Sequence, residues 1–226
     1  MRLGVLFSGG KDSVYACYKA MQHESVACLI TIVSENEESY MFHTPNIGKC
    51  SVLSKSMGVP HLEWQTKGQE ELELEDLKNA IKQAMDAYGI DGIVTGAIES
   101  VYQASRVQRI CSDLGLWCFN PLWQVDQLEY LQALIDEGFD VMISGVFAYP
   151  LGEDWLGRRM DNRMISELRL LKERYKINPS GEGGELETFV LDGPIFNERI
   201  EIISSDKDYW NYSGRVNIKD IKLVKK

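Results

Sequence analysis

Short, uninterrupted apolar runs alternate with longer segments whose apolar residues recur every three or four positions through the first half of this chain. "LGVLFS" is the first run, and "SVYACYKAMQ" behind it sets Val14, Cys17, Tyr18 and Met21 on one helical face. "VACLITIV" has no polar alternation and reads as a strand buried on both sides. "NIGKCSVLSKSMG" predicts a helix closed by Gly58, "PHLEWQT" a strand, and "EELELEDLKNAIKQAMDAYG" a long helix closed by Gly89. "DGIVTGAI" then reads as a strand and "VYQASRVQRICSDLG" as a helix. The order is βαβαβαβα, which predicts an α/β fold: a doubly wound parallel sheet wrapped by helices.

Beyond Asn120 the rhythm changes. One helix ("QLEYLQALIDEG"), one strand ("DVMISGVF") and a highly charged helical stretch ("RMDNRMISELRLLKERY") lead to the glycine-rich "NPSGEGGELETFVLDGPIF". The alternation in "RIEIISSDKDYWNYSGRVNIKDIKLV" predicts antiparallel strands. Two domains are expected, 1–120 and a smaller α+β domain at 121–226.

Composition narrows the function classes. With 226 residues and 44% hydrophobic content the chain can build a sizeable core. The apolar part of "MRLGVLF" is too short for a secretory segment or a membrane span, so a cytoplasmic location is expected and no membrane partner. Cys17, Cys28, Cys50, Cys111 and Cys118 show no two-residue spacing of a redox or zinc knuckle and read as small core residues. A formal net charge of −10 disfavours a nucleic-acid partner.

The chemistry-bearing motif is "FSGGKDS", residues 7–13. A strand that turns through two glycines into a helix aims several backbone N–H groups at one point, at the positive end of the helix dipole. That point favours an anion. Lys11 adds a mobile positive charge, and Ser8 and Ser13 add hydroxyls. The loop is not a Walker A motif, since Val5 stands where that pattern needs glycine and Asp12 follows the lysine. A carboxylate in a phosphate nest calls for Mg²⁺ or for a helix-capping role, and Asp12 is the candidate metal ligand. Ser-Gly-Gly-x-Asp-Ser arises by chance in on the order of one window per million.

"SGGKDS" behind the first strand resembles the PP-loop of the ATP pyrophosphatase superfamily. The resemblance implies an adenine nucleotide α-hydrolase-like (HUP-type) domain that binds ATP with Mg²⁺ and splits it into AMP and pyrophosphate by adenylating a substrate. It implies a nucleotide cradle made of Ser8, Gly9, Gly10, Lys11, Asp12 and Ser13, with Gly96, Ala97 and Ile98 of "GAIES" along the adenine. The sulfur-inserting relatives carry catalytic cysteines or a CxxC cluster, which this sequence lacks.

A second motif, "GEGGELETFVLDGPIF", sets Glu182, Glu185 and Glu187 among three glycines, a grouping suited to a cationic ligand, a metal-bound phosphate or an amine. An acidic turn leading into a buried strand fits the same residues. The stretch resembles the Glu-Gly-Gly-Glu-x-Glu-Thr signature of the diphthine ammonia ligase family, and "MFHTPN", "GAIES" and "YQASR" stand in compatible order. That resemblance implies amidation of diphthine on translation elongation factor 2, with ammonium as nitrogen donor. It assigns catalysis to Lys11, Asp12, Glu182, Glu185 and Glu187, and substrate contacts to His43, Tyr102, Gln103, Ser105, Arg106, Gly183, Gly184 and Thr188. Diphthine carries a quaternary ammonium group, and Trp123, Tyr149 and Trp155 are aromatic candidates to hold it.

The residues alone leave two alternatives open: a PP-loop ligase acting on a small metabolite or tRNA, and a module that senses ATP without consuming it. A homodimer is compatible with the sequence. By family analogy the short form looks archaeal rather than eukaryotic.

Overall fold

The apolar run expected at the second strand forms β2 (Ser25–Ser34), whose central six residues are buried. Beside it lie β1 (Arg2–Leu6), β3 (His61–Thr66), β4 (Gly92–Val94) and β5 (Trp117–Phe119), all parallel, in the order β3-β2-β1-β4-β5. The computed structural model describes residues 1–36 and 46–226, and the chain divides into two units, Met1–Trp123 and Gln124–Lys226.

The strand order makes the first unit doubly wound, as expected. The chain steps outward from β1 to β2 and β3, then returns to the other side of β1 to place β4 and β5. β1 and β4 therefore form the topological switch point, with Val5 opposite Val94, and the segments leaving their carboxyl ends open the crevice where such sheets bind ligands. Helices α1 (Lys11–Met21), α2 (Cys50–Met57), α3 (Glu70–Tyr88) and α4 (Val101–Leu114) connect the strands. Gly58 and Gly89 end α2 and α3 in left-handed conformation, where the pattern placed them. Leu77, Ile81 and Ala84 of α3 and Val107, Ile110 and Cys111 of α4 share a core with Ile30, Ile32, Leu62 and Ile93 of the sheet. Burying each of the larger side chains contributes about 1.5–3 kcal/mol.

One boundary and one strand differ from the sequence reading. The strand read over "DGIVTGAI" stops at Val94, and Thr95–Ile98 leave the sheet as a loop. β5 was not expected, because three residues are too few to display a period; Trp117–Phe119 pair with Gly92–Val94. The first unit is thus one strand longer than βαβαβαβα.

The second unit is α+β: α5 (Gln127–Asp136), β6 (Asp140–Val146), α6 (Asn162–Tyr175), β7 (Leu186–Asp192), β8 (Glu198–Trp210) and β9 (Ser213–Lys225). Its sheet runs β7-β6-β9-β8 with antiparallel pairing. Asp126 and Asp161 cap the two helices, accepting from Leu128 N and Glu129 N at 3.0 Å and from Met164 N at 2.7 Å. The β8–β9 turn is made by Asn211 and Tyr212 at φ +46° and +62°, a pair of conformations for which Asn-Gly is the favoured sequence.

Among the described residues no helix is long and apolar enough to cross a membrane.

Candidate functional site

Ser8, Gly9, Gly10, Lys11, Asp12 and Ser13 form the segment that joins β1 to the first turn of α1. Gly9 adopts φ +77°, which turns the chain sharply enough for the helix to start at Lys11. The loop is tied to itself: Ser8 N donates to Ser13 Oγ at 3.1 Å, the two serine hydroxyls lie 3.2 Å apart, and Ser13 Oγ donates to Gly10 O at 3.1 Å. The helix cap is Gly10, without a side-chain hydrogen bond, so Asp12 is not the cap. Both carboxylate oxygens of Asp12 lie 3.0 Å from Lys11 Nζ. Lys11 is only 2% exposed, an ammonium held indoors at the amino end of a helix. A buried cation of this kind needs anionic company, and Asp12 supplies part of it.

The base of the loop is braced from below by residues the sequence did not single out. Phe7 N donates to Ile30 O at 2.8 Å, and the Thr31 hydroxyl donates to Phe7 O at 2.8 Å. That leaves the Thr31 oxygen to accept from His61 Nε2 at 2.9 Å, which fixes the imidazole with its proton on Nε2. Burial lowers the His61 pKa and the nearby Glu63 opposes the shift. Thr31 and His61 sit on strands and carried no motif, so only the three-dimensional register reveals them.

Gly96, Ala97 and Ile98 follow β4 and flank the loop across the switch point. A β-carbon on Gly96 would lie 2.7 Å from the Asp12 carbonyl carbon and 2.8 Å from Ser13 N, so the first turn of α1 rests directly on this glycine. Ala97 N donates to Thr95 Oγ1 at 3.3 Å, and Thr95 Oγ1 donates to Asn120 Oδ1 at 2.5 Å. Ile98 is fully buried, so its side chain belongs to the core and only its backbone can border a ligand.

The α4 candidates diverge. Gln103 N donates to the capping Ser100 Oγ at 3.3 Å. Arg106 lies over the Tyr102 ring at 3.3 Å and donates to Tyr102 O at 3.3 Å, while its Nε is buried without a partner. Arg106 is thus held against its own helix by Tyr102. Ser105 lines a groove of about 750 Å³ with Gln108, Arg109, Asn120 and Trp123. His43 lies outside the described residues.

In the second unit Glu182, Gly183, Gly184 and Glu185 form the turn before β7, with Glu187 and Thr188 already in the strand. Glu185 is engaged: its Oε1 accepts from Asn178 N at 3.0 Å and Asn178 Nδ2 at 2.8 Å, and its Oε2 is buried without a partner. Gly183 leaves room for this clasp, since a β-carbon there would lie 2.7 Å from both Asn178 Nδ2 and Glu185 Oε1. Glu187 opposes Gly145 of β6, and Thr188 is 3% exposed, inside the sheet rather than on the turn. Trp155 is likewise buried, with Arg158 over its ring at 4.7 Å, and presents no open face.

Among the described residues no group of three or more His, Cys, Asp or Glu side chains gathers as a metal site. Burial pushes the Cys17, Cys28 and Cys50 thiols up to about 12, so they stay protonated and do not act as nucleophiles. Cys111 and Cys118, seven positions apart in sequence, are hydrogen-bonded in space, which raises the first thiol and lowers the second.

Residues 1–118 match the diphthamide synthase N-terminal domain, and residues 126–224 match the diphthamide synthase C-terminal domain. This chain belongs to the diphthamide synthase family. Relatives named diphthine–ammonia ligase from Bos taurus and Homo sapiens are each 34% identical over 229 residues, covering 91% of this chain and 84% of the relative. The relative of that name from Saccharomyces cerevisiae is 31% identical over 264 residues, covering all of this chain and 38% of the relative. These relatives are eukaryotic and give the archaeal expectation no support. A solved structure described as a predicted subunit of tRNA methyltransferase from Methanocaldococcus jannaschii aligns with a TM-score of 0.43 at 18% identity, covering 86% of this chain and 98% of that one.

Proposed function

We propose that this chain is an ATP-dependent amide ligase that converts the carboxylate of diphthine on translation elongation factor 2 to the carboxamide. The observation that carries the reading is the buried Lys11 ammonium at the amino end of α1, in a chain whose two halves match the two domains of the diphthamide synthase family.

The Ser8–Ser13 loop binds the phosphates of ATP, its backbone N–H groups and the α1 dipole facing the anion. The diphthine carboxylate oxygen attacks the α-phosphorus and pyrophosphate leaves. Lys11 stabilises the negative charge that accumulates on the departing oxygens, an electrostatic role that moves no proton. Ammonium gives up a proton to water, the resulting ammonia attacks the acyl carbon of the mixed anhydride, the C–O bond to AMP breaks with its electrons leaving on AMP, and the new C–N nitrogen loses a second proton to water. The segment after β4 borders the adenine through its backbone, and Gly96 sets the height of the α1 terminus above it.

Mg²⁺, when it accompanies the nucleotide, supplies charge neutralisation on the phosphates. Asp12 is the carboxylate at the loop that suits this hard cation, which takes most of its oxygens from phosphate and water in such sites. The charge of Glu182, Glu185 and Glu187 suits cationic partners such as ammonium and the ammonium group of diphthine. The acidic chain, at −10, complements a basic surface on the protein substrate.

The test is an amidation assay with the full chain, ATP, Mg²⁺, ammonium and diphthine-bearing elongation factor 2. Conversion of the factor's carboxylic acid to an amide by intact mass, with matching AMP and pyrophosphate, is the expected result. ATP binding with neither product would overturn the ligase reading, and AMP formed without a mass change would overturn the acceptor.

A further inference from the structure

β4 ends at Val94, and the residues behind it are directed by a side chain as much as by the sheet. Thr95 keeps one more ladder bond, its N–H donating to Phe119 O at 2.9 Å. Its hydroxyl accepts from Ala97 N at 3.3 Å and donates its single proton to Asn120 Oδ1 at 2.5 Å. The first of these bonds closes the short turn that a threonine hydroxyl makes with the backbone two residues on. The second ties the carboxyl end of β4 to that of its neighbour β5, from a residue 25 positions later.

This turn decides where Gly96, Ala97 and Ile98 lie. Ala97 is 8% exposed, so its N–H has little access to water and depends on the Thr95 oxygen. Gly96, at the middle of the turn, rests on the backbone of Asp12 and Ser13. The segment is therefore held on two sides, against α1 through Gly96 and towards β5 through Thr95.

Asn120 is what commits the hydroxyl. Thr95 is 5% exposed, so a proton deprived of the Asn120 acceptor reaches another only by rotation about χ1, and that rotation carries the oxygen away from Ala97 N. Asn120 itself is half-buried and borders the groove along α4, so its carboxamide reaches water when the Thr95 hydroxyl is taken away. An apolar pair would join the two strand ends equally well. What a hydroxyl and a carboxamide add is a fixed direction for the Ala97 peptide plane, which a backbone that reads the edge of a base requires.

We propose that Thr95 and Asn120 are positioning residues for recognition of the adenine base: Asn120 fixes the Thr95 hydroxyl, Thr95 holds the Ala97 peptide, and the backbone of Gly96–Ile98 meets the edge of the base. The pair's role rests on the function proposed above, which puts ATP at this segment. Both side chains act through backbone on a part of the nucleotide remote from the reacting phosphates. They therefore govern which base is accepted and how tightly, and leave the rate of the chemical step alone.

ATP and GTP, each with Mg²⁺, are titrated separately into the full chain by calorimetry. The parent is expected to prefer ATP. Thr95→Val, which keeps the shape and deletes the hydroxyl, and Asn120→Leu should each weaken ATP binding about ten-fold and leave GTP within about two-fold. Thr95→Ser should keep the parental preference. Combining Thr95→Val with Asn120→Leu should weaken ATP no further than either change alone, because one bond carries both effects. General damage to the fold lowers both nucleotides alike and leaves their ratio untouched. A parental ATP-to-GTP ratio in both single variants, an equal loss in Thr95→Ser and Thr95→Val, or additive losses in the double variant overturns the positioning role; if Thr95→Val does not fold, Asn120→Leu decides. In the amidation assay Asn120→Leu should raise the KM for ATP about ten-fold with kcat nearly unchanged. A parent that binds ATP and GTP equally overturns the pair's part in base recognition and leaves the ligase reading standing. A parent that binds ATP but forms no amide defeats the ligase reading, while the comparison of the two nucleotides still decides the pair.

Discussion

Gly96 touches the backbone of Asp12: a β-carbon at position 96 would stand 2.7 Å from the Asp12 carbonyl carbon, closer than real β-carbons approach. Main chain cannot swing aside as a flexible side chain can, so Gly96→Ala must push the first turn of α1 away from β4. Overpacking of this sort costs about 1–3 kcal/mol, which lowers the melting point by roughly 2–12 °C in a chain of this size. The larger effect is expected on turnover, because the displaced turn carries Lys11. Pyrophosphate release should fall by on the order of a hundred-fold. A Gly96→Ala chain with parental turnover would show that the height of this turn is irrelevant to the chemistry.

Lys11 can be removed with little harm to the fold. Lys11→Met keeps the buried volume, and the Asp12 carboxylate left behind is about one-third exposed and reaches water. Turnover should drop by about two to three orders of magnitude, the usual loss when a preorganised charge at a developing anion is deleted. The melting temperature should stay close to that of the parent. Full residual activity would remove Lys11 from the mechanism.

Why some of this was readable in the sequence and some was not follows from the range of the interactions. The β1 turn into α1 is encoded within seven residues, each needed for a local reason, so the loop stood out. The doubly wound order followed from strand-helix alternation, a period that repeats. β5 escaped because Trp117–Phe119 are held by pairing to β4 and not by any pattern of their own. Glu182, Glu185 and Glu187 looked like one functional group by spacing, yet Glu185 is clasped by Asn178. Thr31 and His61 brace the loop from residues 24 and 54 positions beyond Phe7, and contacts between elements this distant have no local signature.

His61 makes the stability of the first unit depend on pH. Burial holds its pKa below the ordinary 6.5, so between that depressed value and 6.5 the unfolded chain binds the proton and the folded one does not. Stability from this group is therefore complete above about pH 6.5 and is lost as pH falls below it. The melting temperature should decline on acidification from pH 7 to pH 5, and the decline should be shallower in His61→Gln. Identical slopes in the two proteins would show that the imidazole is not the titrating group.

The clasp between Glu185 and Asn178 gives the acidic turn its shape. One carboxylate oxygen accepts both the backbone and the side-chain N–H of Asn178, at 3.0 and 2.8 Å. Hydrogen bonds to a charged acceptor contribute about 1.5–3 kcal/mol each, enough to hold a short glycine-rich segment in a single conformation. Glu185→Ala should release the segment, so limited proteolysis within Gly181–Gly184 should quicken several-fold and the melting point should fall by several degrees. Positioning rather than direct chemistry then predicts an uneven kinetic effect: ATP binding retained, amidation slowed, and partial rescue by Glu185→Gln, whose amide oxygen can still accept from Asn178 N. Asn178→Ala, which removes the side-chain half of the clasp, should fall between Glu185→Ala and the parent in both readouts. If Glu185→Gln is as inactive as Glu185→Ala while its turn resists protease as the parent does, the charge itself meets the substrate, and Glu185 is a catalytic residue instead of the clasp that sets Glu182 and Glu187 in place.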